Sequence, residues 1–176
     1  MKRILAFAVS CLVLSCQSEP TLQKYFVQQA DDPGFVTLDI SPSVLNIDNS
    51  KLSVAQKEAF KSFDRMNILA FKATDSNAAE FEAERAKVAK ILQDPKYQQL
   101  VKIGSGKEGA SVSFVGQDEH IDEFVVFANQ KDNGFAVVRV LGNDMNPTSI
   151  VTMVTALQNA DLDLKQLEPL QQFLKN

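Results

Sequence analysis

Three runs of β-branched and aromatic residues, Ala110 to Val115, Asp122 to Asn129 and Phe135 to Leu141, follow one another with only short polar breaks. Each is short and bounded by turn residues, so each reads as a strand. Lys131-Asp132-Asn133-Gly134 lies between the last two and predicts a tight hairpin. Phe124 to Ala128 is apolar at every position, as a strand buried on both faces requires. Strands this close in sequence pair antiparallel, because a parallel pair needs a long crossover. Upstream, Phe35 to Ile40 and Asn67 to Lys72 add two more strands.

Helical spacing fills the intervals. Thr21 to Ala30 places Leu22, Tyr25, Phe26 and Gln29 on one face, and Asp31-Asp32-Pro33-Gly34 turns the chain after it. Ser41-Pro42 opens a short turn through Leu45. Ser53 to Phe63 predicts a helix with Val54, Ala55, Ala59, Phe60 and Phe63 inward. Asn77 to Gln93 predicts the longest helix, with Asn77 and Glu80 as a capping box. Asp94-Pro95 ends it and opens a further turn carrying Tyr97, Leu100 and Val101. Asn146-Pro147 starts a helix through Gln158 that faces Ile150, Val151, Val154 and Leu157 inward, and a last helix runs near Leu164 to Leu174, bent at Pro169. The expected fold is α+β: a mainly antiparallel sheet of about five strands covered by helices. No repeat or linker divides the chain, so residues 21–176 read as a single domain.

The N-terminus has a different character. Lys2 and Arg3 precede an apolar run from Ile4 to Leu14 broken only by Ser10, the pattern of a signal peptide. As a helix that run spans about 16 Å, short of a bilayer core of about 30 Å. It ends at Val13-Leu14-Ser15-Cys16, which resembles the bacterial lipoprotein box, with a small residue before the cut and a thiol to carry lipid. Residues 1–15 are therefore expected to be the lipoprotein signal peptide, Cys16 the lipidation site and 16–20 a short tether. Cys11 lies inside the apolar run and would serve only if that run were implausibly short. Cleavage would leave 16 basic against 22 acidic side chains, net −6, since Lys2 and Arg3 depart with the signal. So acidic a surface is not drawn to anionic headgroups, so the membrane is reached through the lipid. It also argues against nucleic acid as a partner.

Chemistry is sparse. The whole chain has one histidine, two cysteines and no tryptophan. Asp118-Glu119-His120-Ile121-Asp122-Glu123 is the densest polar cluster, and on a strand His120 and Asp122 share a face. Oxygen and imidazole donors at Asp118, His120 and Asp122 are weak candidates for a ligand or hard metal; consecutive acids between strands more often point several ways into water. Gly104-Ser105-Gly106-Lys107-Glu108-Gly109 has the spacing of a phosphate loop, but a helix is expected before it and a strand after it, the reverse of what phosphate binding needs. Asn129 to Gly134 lacks the alternating acids of a calcium loop and reads as the hairpin turn. Arg139 interrupts an apolar strand and must pair or face a cleft. With Asn133-Gly134 as a two-residue turn it would lie opposite Ala128, leaving Asp39 as a candidate partner for a structural ion pair. No catalytic set, resident metal or cofactor emerges from these residues.

Four stretches point further: Leu22-Gln23-Lys24-Tyr25-Phe26, Asn67-Ile68-Leu69-Ala70-Phe71-Lys72, Asp94-Pro95-Lys96-Tyr97-Gln98-Gln99-Leu100 and Val137-Val138-Arg139-Val140-Leu141-Gly142. With the lipoprotein start, they resemble domain-of-unknown-function family 4252, found in envelope lipoproteins of Bacteroidota and other Gram-negative bacteria. The resemblance spans nearly the whole mature chain and carries no catalytic motif. It implies a periplasm-facing or surface lipoprotein without assigned function, and relatives encoded beside sigma/anti-sigma systems imply a sensing role. In that phylum surface display often follows an acidic cluster after the lipidated cysteine, whereas Gln17-Ser18-Glu19-Pro20 has a single acid. The expected location is the outer membrane facing the periplasm, with surface exposure left open. The expected function is a non-catalytic interaction or sensing module whose partner is an envelope protein or small ligand. An envelope hydrolase using the Asp118 to Glu123 cluster, or a lipid or small-molecule carrier, are the alternatives.

Overall fold

The computed structural model describes residues 19–45, 50, 52–105, 108–117 and 120–152. The signal segment, Cys16, Asp118, the continuation of the predicted helix past 152 and the predicted helix near Leu164 to Leu174 lie outside these residues. Among the described residues, six strands form one antiparallel sheet in the order β1-β2-β6-β5-β4-β3. The strands are β1 (Phe35–Ile40), β2 (Phe63–Phe71), β3 (Gln98–Ser105), β4 (Glu108–Gln117), β5 (His120–Gln130) and β6 (Gly134–Met145). Three helices, α1 (Leu22–Gln29), α2 (Val54–Lys61) and α3 (Ala78–Ile91), interrupt them, with a 3₁₀ turn at Pro42–Leu45. Residues 147–152 are helical, and Asn146 Oδ1 accepts the Ser149 amide at the start of that helix.

The strand that the sequence hides is β3. Leu100 and Val101, expected on a helical turn, belong to a strand exposed along its whole length. Among the described residues it lies at the sheet edge and pairs with β4 alone, so no alternation of buried and exposed side chains marks it. The glycine-rich segment consequently joins two strands, with Gly104 opposite Gly109. Both glycines have positive φ, and a Cβ on Gly109 would stand 2.1 Å from the Ile103 carbonyl oxygen. No helix follows to supply phosphate-binding amides.

One face of the sheet is sealed by α1 and α3. Thr21 caps α1 by accepting the Lys24 amide, and Leu22, Tyr25 and Phe26 point inward at the predicted spacing. They meet Phe81, Val88 and Ile91 of α3 over Phe35, Leu69, Phe71, Val125, Phe127, Phe135 and Val137. Phe71 and Phe135 stack with centroids 5.5 Å apart, and Phe35 meets Phe71 edge-on at 4.9 Å. Such pairs contribute about 0.5–1.5 kcal/mol each beyond their buried area. Phe26, Phe35, Phe71, Phe81, Phe127 and Phe135 are therefore core.

Two helix starts differ from the sequence pattern. The reciprocal capping box forms at Ser53 and Gln56, at the head of α2. Asn77 precedes α3 without capping it: its side chain accepts the Thr74 amide and donates to the Lys72 carbonyl, closing the loop after β2. The opposite face of the sheet carries α2, whose Ala59 and Phe60 pack with Phe63, Phe124, Val140 and Met145. Phe63, expected in this helix, begins β2, and Val54, expected inward, is 78% exposed. Ile150 joins the same cluster, whereas Val151, also expected inward, is exposed.

Candidate functional site

Three places on the fold could carry function: a buried polar group beneath α1, the end of β5 that bears His120, and the surface formed by β3 and the second face.

Arg139 lies on the α1 face of β6, 5% exposed. Its Nε donates to Glu123 Oε1 at 2.7 Å, its Nη1 donates to Gln23 Oε1 at 2.8 Å, and its guanidinium lies 5.4 Å from the Phe26 ring. The expected partner, Asp39, instead accepts from the Asn67 side chain on β2. The turn explains the difference. Gln130 pairs with Gly134, so Lys131-Asp132-Asn133 form the loop, and Arg139 faces Val125 in place of Ala128. That displacement by three positions swaps the strand's faces and brings Glu123 into diagonal reach of Arg139. Gly134 permits this turn: its φ is 111°, and a Cβ there would stand 1.9 Å from the Phe71 carbonyl oxygen.

Two tyrosines complete the layer under α1. Burial pushes the Tyr97 hydroxyl up to about 12; the Glu123 charge adds to the shift, while Arg139 and the Leu22 backbone oppose it. Burial also raises Tyr25 above its ordinary range, helped by its hydrogen bond to Glu84 Oε2 at 2.8 Å and by that carboxylate's charge. Gln29 donates to the same oxygen at 3.0 Å, and Lys87 reaches Glu84 Oε1 at 2.6 Å. Each charged group in this layer is matched by opposite charge or hydrogen-bond donors, the arrangement that a buried ion pair needs to be tolerated. It holds α1 on the sheet.

His120 begins β5 and is 78% exposed; its Nδ1 lies 2.8 Å from Asp144 Oδ1. Asp144 sits in the left-handed region at φ 53°, near the end of β6. The ladder shifts between Ile121 and Glu123, so Asp122 falls in an irregular step of β5. It is exposed, while Glu123 turns inward to Arg139. The acidic run thus sends its described members in different directions. Among the described residues, no three His, Cys, Asp or Glu side chains are grouped to hold a metal ion.

The third place carries exposed apolar side chains. β3 exposes Leu100, Val101 and Ile103, the last at 66%. On the face opposite α1, a cleft of about 570 Å³ is lined by Ile68, Ala70, Ala128, Ala136 and Val138 together with the polar Glu108, Gln130 and Asn133. It is large enough for a small ligand. No helix among the described residues is long and apolar enough to cross a membrane.

Residues 25–153 match the sequence pattern of a family described as Domain of unknown function (DUF4252). The chain belongs to that family. The match begins within α1 and takes in all six strands, so the DUF4252 region coincides with the sheet and the helices packed on it. Among curated proteins and solved structures, none matches the chain.

Proposed function

We propose that this DUF4252 protein is a lipid-anchored, non-catalytic interaction or sensing module. It is held through acylated Cys16 on the periplasmic face of a Gram-negative outer membrane, and it meets a partner protein along β3. The observation that carries this reading is the exposed edge. A strand paired on one side only leaves a row of backbone donors and acceptors open to a further strand. Leu100, Val101 and Ile103 are large apolar residues placed on that edge. The ladder irregularity between Gln99 and Val101, together with Lys102, guards it against indiscriminate pairing. The occupant that fits is an extended, apolar segment of another envelope protein. The hydrolase alternative draws no such support, since His120 stands in solvent with Asp144. The carrier alternative draws on the cleft beside Ala136.

Photocrosslinking in native membranes tests the reading, with a photoreactive residue in place of Ile103 or, as control, of Val27, which is equally apolar and exposed but lies on α1. A discrete adduct is expected from position 103 and not from 27, and its loss on the further change Leu100→Asp with unaltered melting. Equal labelling from both positions, or none from 103, overturns the proposal.

A further inference from the structure

On the face that α1 and α3 seal, the register divides the sheet into an apolar and a polar half. Val125, Phe127 and Asn129 of β5 stand opposite Ser113, Ser111 and Gly109 of β4. Ser113 and Ser111 in turn stand opposite Gln99 and Lys102 of β3. Directly opposed residues share a face, so the apolar layer under the helices gives way past β5 to hydroxyl, amide and ammonium groups. Ser113 is nevertheless 5% exposed, the burial of a core residue and not of a solvated serine.

The end of α3 overhangs this boundary. Ala89 in its last turn, with Leu92 and Gln93 just after it, faces β3, β4 and Phe127 across a cavity of about 310 Å³. That is many times the about 10–15 Å³ that one bound water needs, and it meets the lower end of the range for small-ligand pockets. Among the described residues that line it, Lys102 is the one charged side chain, and the other polar ones carry amides or hydroxyls. Asn129 completes the wall. Its Oδ1 is buried, and no group among the described residues donates to it. Gly109, directly opposite, brings no side chain to meet it. A buried acceptor of this kind is costly until a donor reaches it. The χ2 torsion of an asparagine is broad, so a turn of the amide presents the oxygen to a donor in the cavity.

We propose that this cavity binds a sugar acid, a hydroxyl-rich molecule of monosaccharide size that carries one carboxylate. Gln93 and Gln99 each offer a donor and an acceptor, which matches a pair of neighbouring hydroxyls. Ser111 and Ser113 donate or accept by rotating their hydroxyls. A ligand hydroxyl supplies the donor that Asn129 Oδ1 lacks, and Lys102 meets the carboxylate. Leu92 and Phe127 take the apolar C–H face of the ligand. The site uses side chains of β3 and not its outer backbone edge, so it stands apart from the partner proposed for that edge.

The test uses the full-length, isotope-labelled protein in detergent, titrated with D-glucuronate, D-galacturonate and D-gluconate and followed by two-dimensional NMR. At least one of the three is expected to shift the Ser111 and Ser113 backbone amides and the Asn129 side-chain amide in a single saturable process. D-Glucose and D-galactose, which lack the carboxylate, and propionate, which lacks the hydroxyls, should bind at least about tenfold more weakly. Lys102→Gln, at an exposed position, should melt as wild type and bind the sugar acid about tenfold more weakly. Absence of any saturable shift up to about 50 mM of all three acids overturns the proposal. Shifts that map elsewhere, equal binding of the neutral sugars, or a Lys102→Gln chain that binds as wild type overturn it too.

Discussion

Replacing Arg139 by alanine is the sharpest probe of the layer beneath α1. The substitution removes the donor at 2.7 Å from Glu123, the donor at 2.8 Å from Gln23 and the cation over Phe26. Glu123 keeps 12% of its side-chain surface exposed, so the carboxylate left behind is largely without water. Breaking a buried pair by removing one partner costs about 3–5 kcal/mol; the residual hydration of Glu123 places the expectation near the low end, at about 3 kcal/mol. For a chain of 176 residues that corresponds to a Tm roughly 6–12 °C lower, at about 2–4 °C per kcal/mol. Urea titration followed by circular dichroism reads the loss as a shift in midpoint at constant slope. A double-mutant cycle with Glu123→Gln should give a coupling on the order of 2 kcal/mol. Arg139→Met combined with Glu123→Leu should recover much of the loss, because apolar isosteres need no desolvated charges. A loss below about 1 kcal/mol for Arg139→Ala, or additive single changes, would refute the assignment of a buried, coupled pair.

Three further outcomes follow. The folded protein should hold its tyrosines protonated past pH 10; because the Tyr97 folded pKa of about 12 lies above the unfolded value near 10, its contribution to stability is whole below pH 10 and is lost as pH rises toward 12. Phenolate absorbance against pH checks this, half-ionisation of the folded protein at pH 10 would contradict it, and Tyr97→Phe should flatten the alkaline fall. His120→Ala should change stability by no more than about 0.5 kcal/mol, since its pair with Asp144 is mostly in water; a larger drop in urea midpoint would show a buried role. Cys16→Ala should move the protein from the membrane to the soluble fraction, and retention of the variant in washed membranes would sink the lipid anchor.

Much of this architecture can be read from local pattern. β1, β5 and β6 follow from apolar and β-branched runs whose side chains are mostly buried or half-buried, and α1 follows from Leu22, Tyr25 and Phe26 at one-turn spacing. β3 does not, because an exposed edge strand needs no alternation and, among the described residues, is held by backbone pairing to β4 alone. The partner of Arg139 depends on whether the β5–β6 turn uses two residues or three, a difference that displaces the opposite strand and changes which carboxylate is near. Asn77 has the residue type of a cap, but nearby backbone groups at Lys72 and Thr74 compete for its amide. The proximity of His120 to Asp144 rests on a left-handed residue and a ladder shift, neither of which has a pattern in the sequence. The apolar residues of the second face are visible strand by strand; their rows, and the gradient across them from phenylalanine to alanine, exist only once the register is known.

The most direct test of the proposed partner edge at β3 is amide hydrogen exchange along that strand, compared between the full-length protein in membranes of its own cells and the purified domain. The amides between Leu100 and Ser105 that point away from β4 should exchange quickly in the purified domain, as edge amides open to water do, and markedly more slowly in the membranes if a partner strand pairs with them. Exchange at these amides that is equally fast in both settings, with protection changing elsewhere on the sheet, would contradict the account.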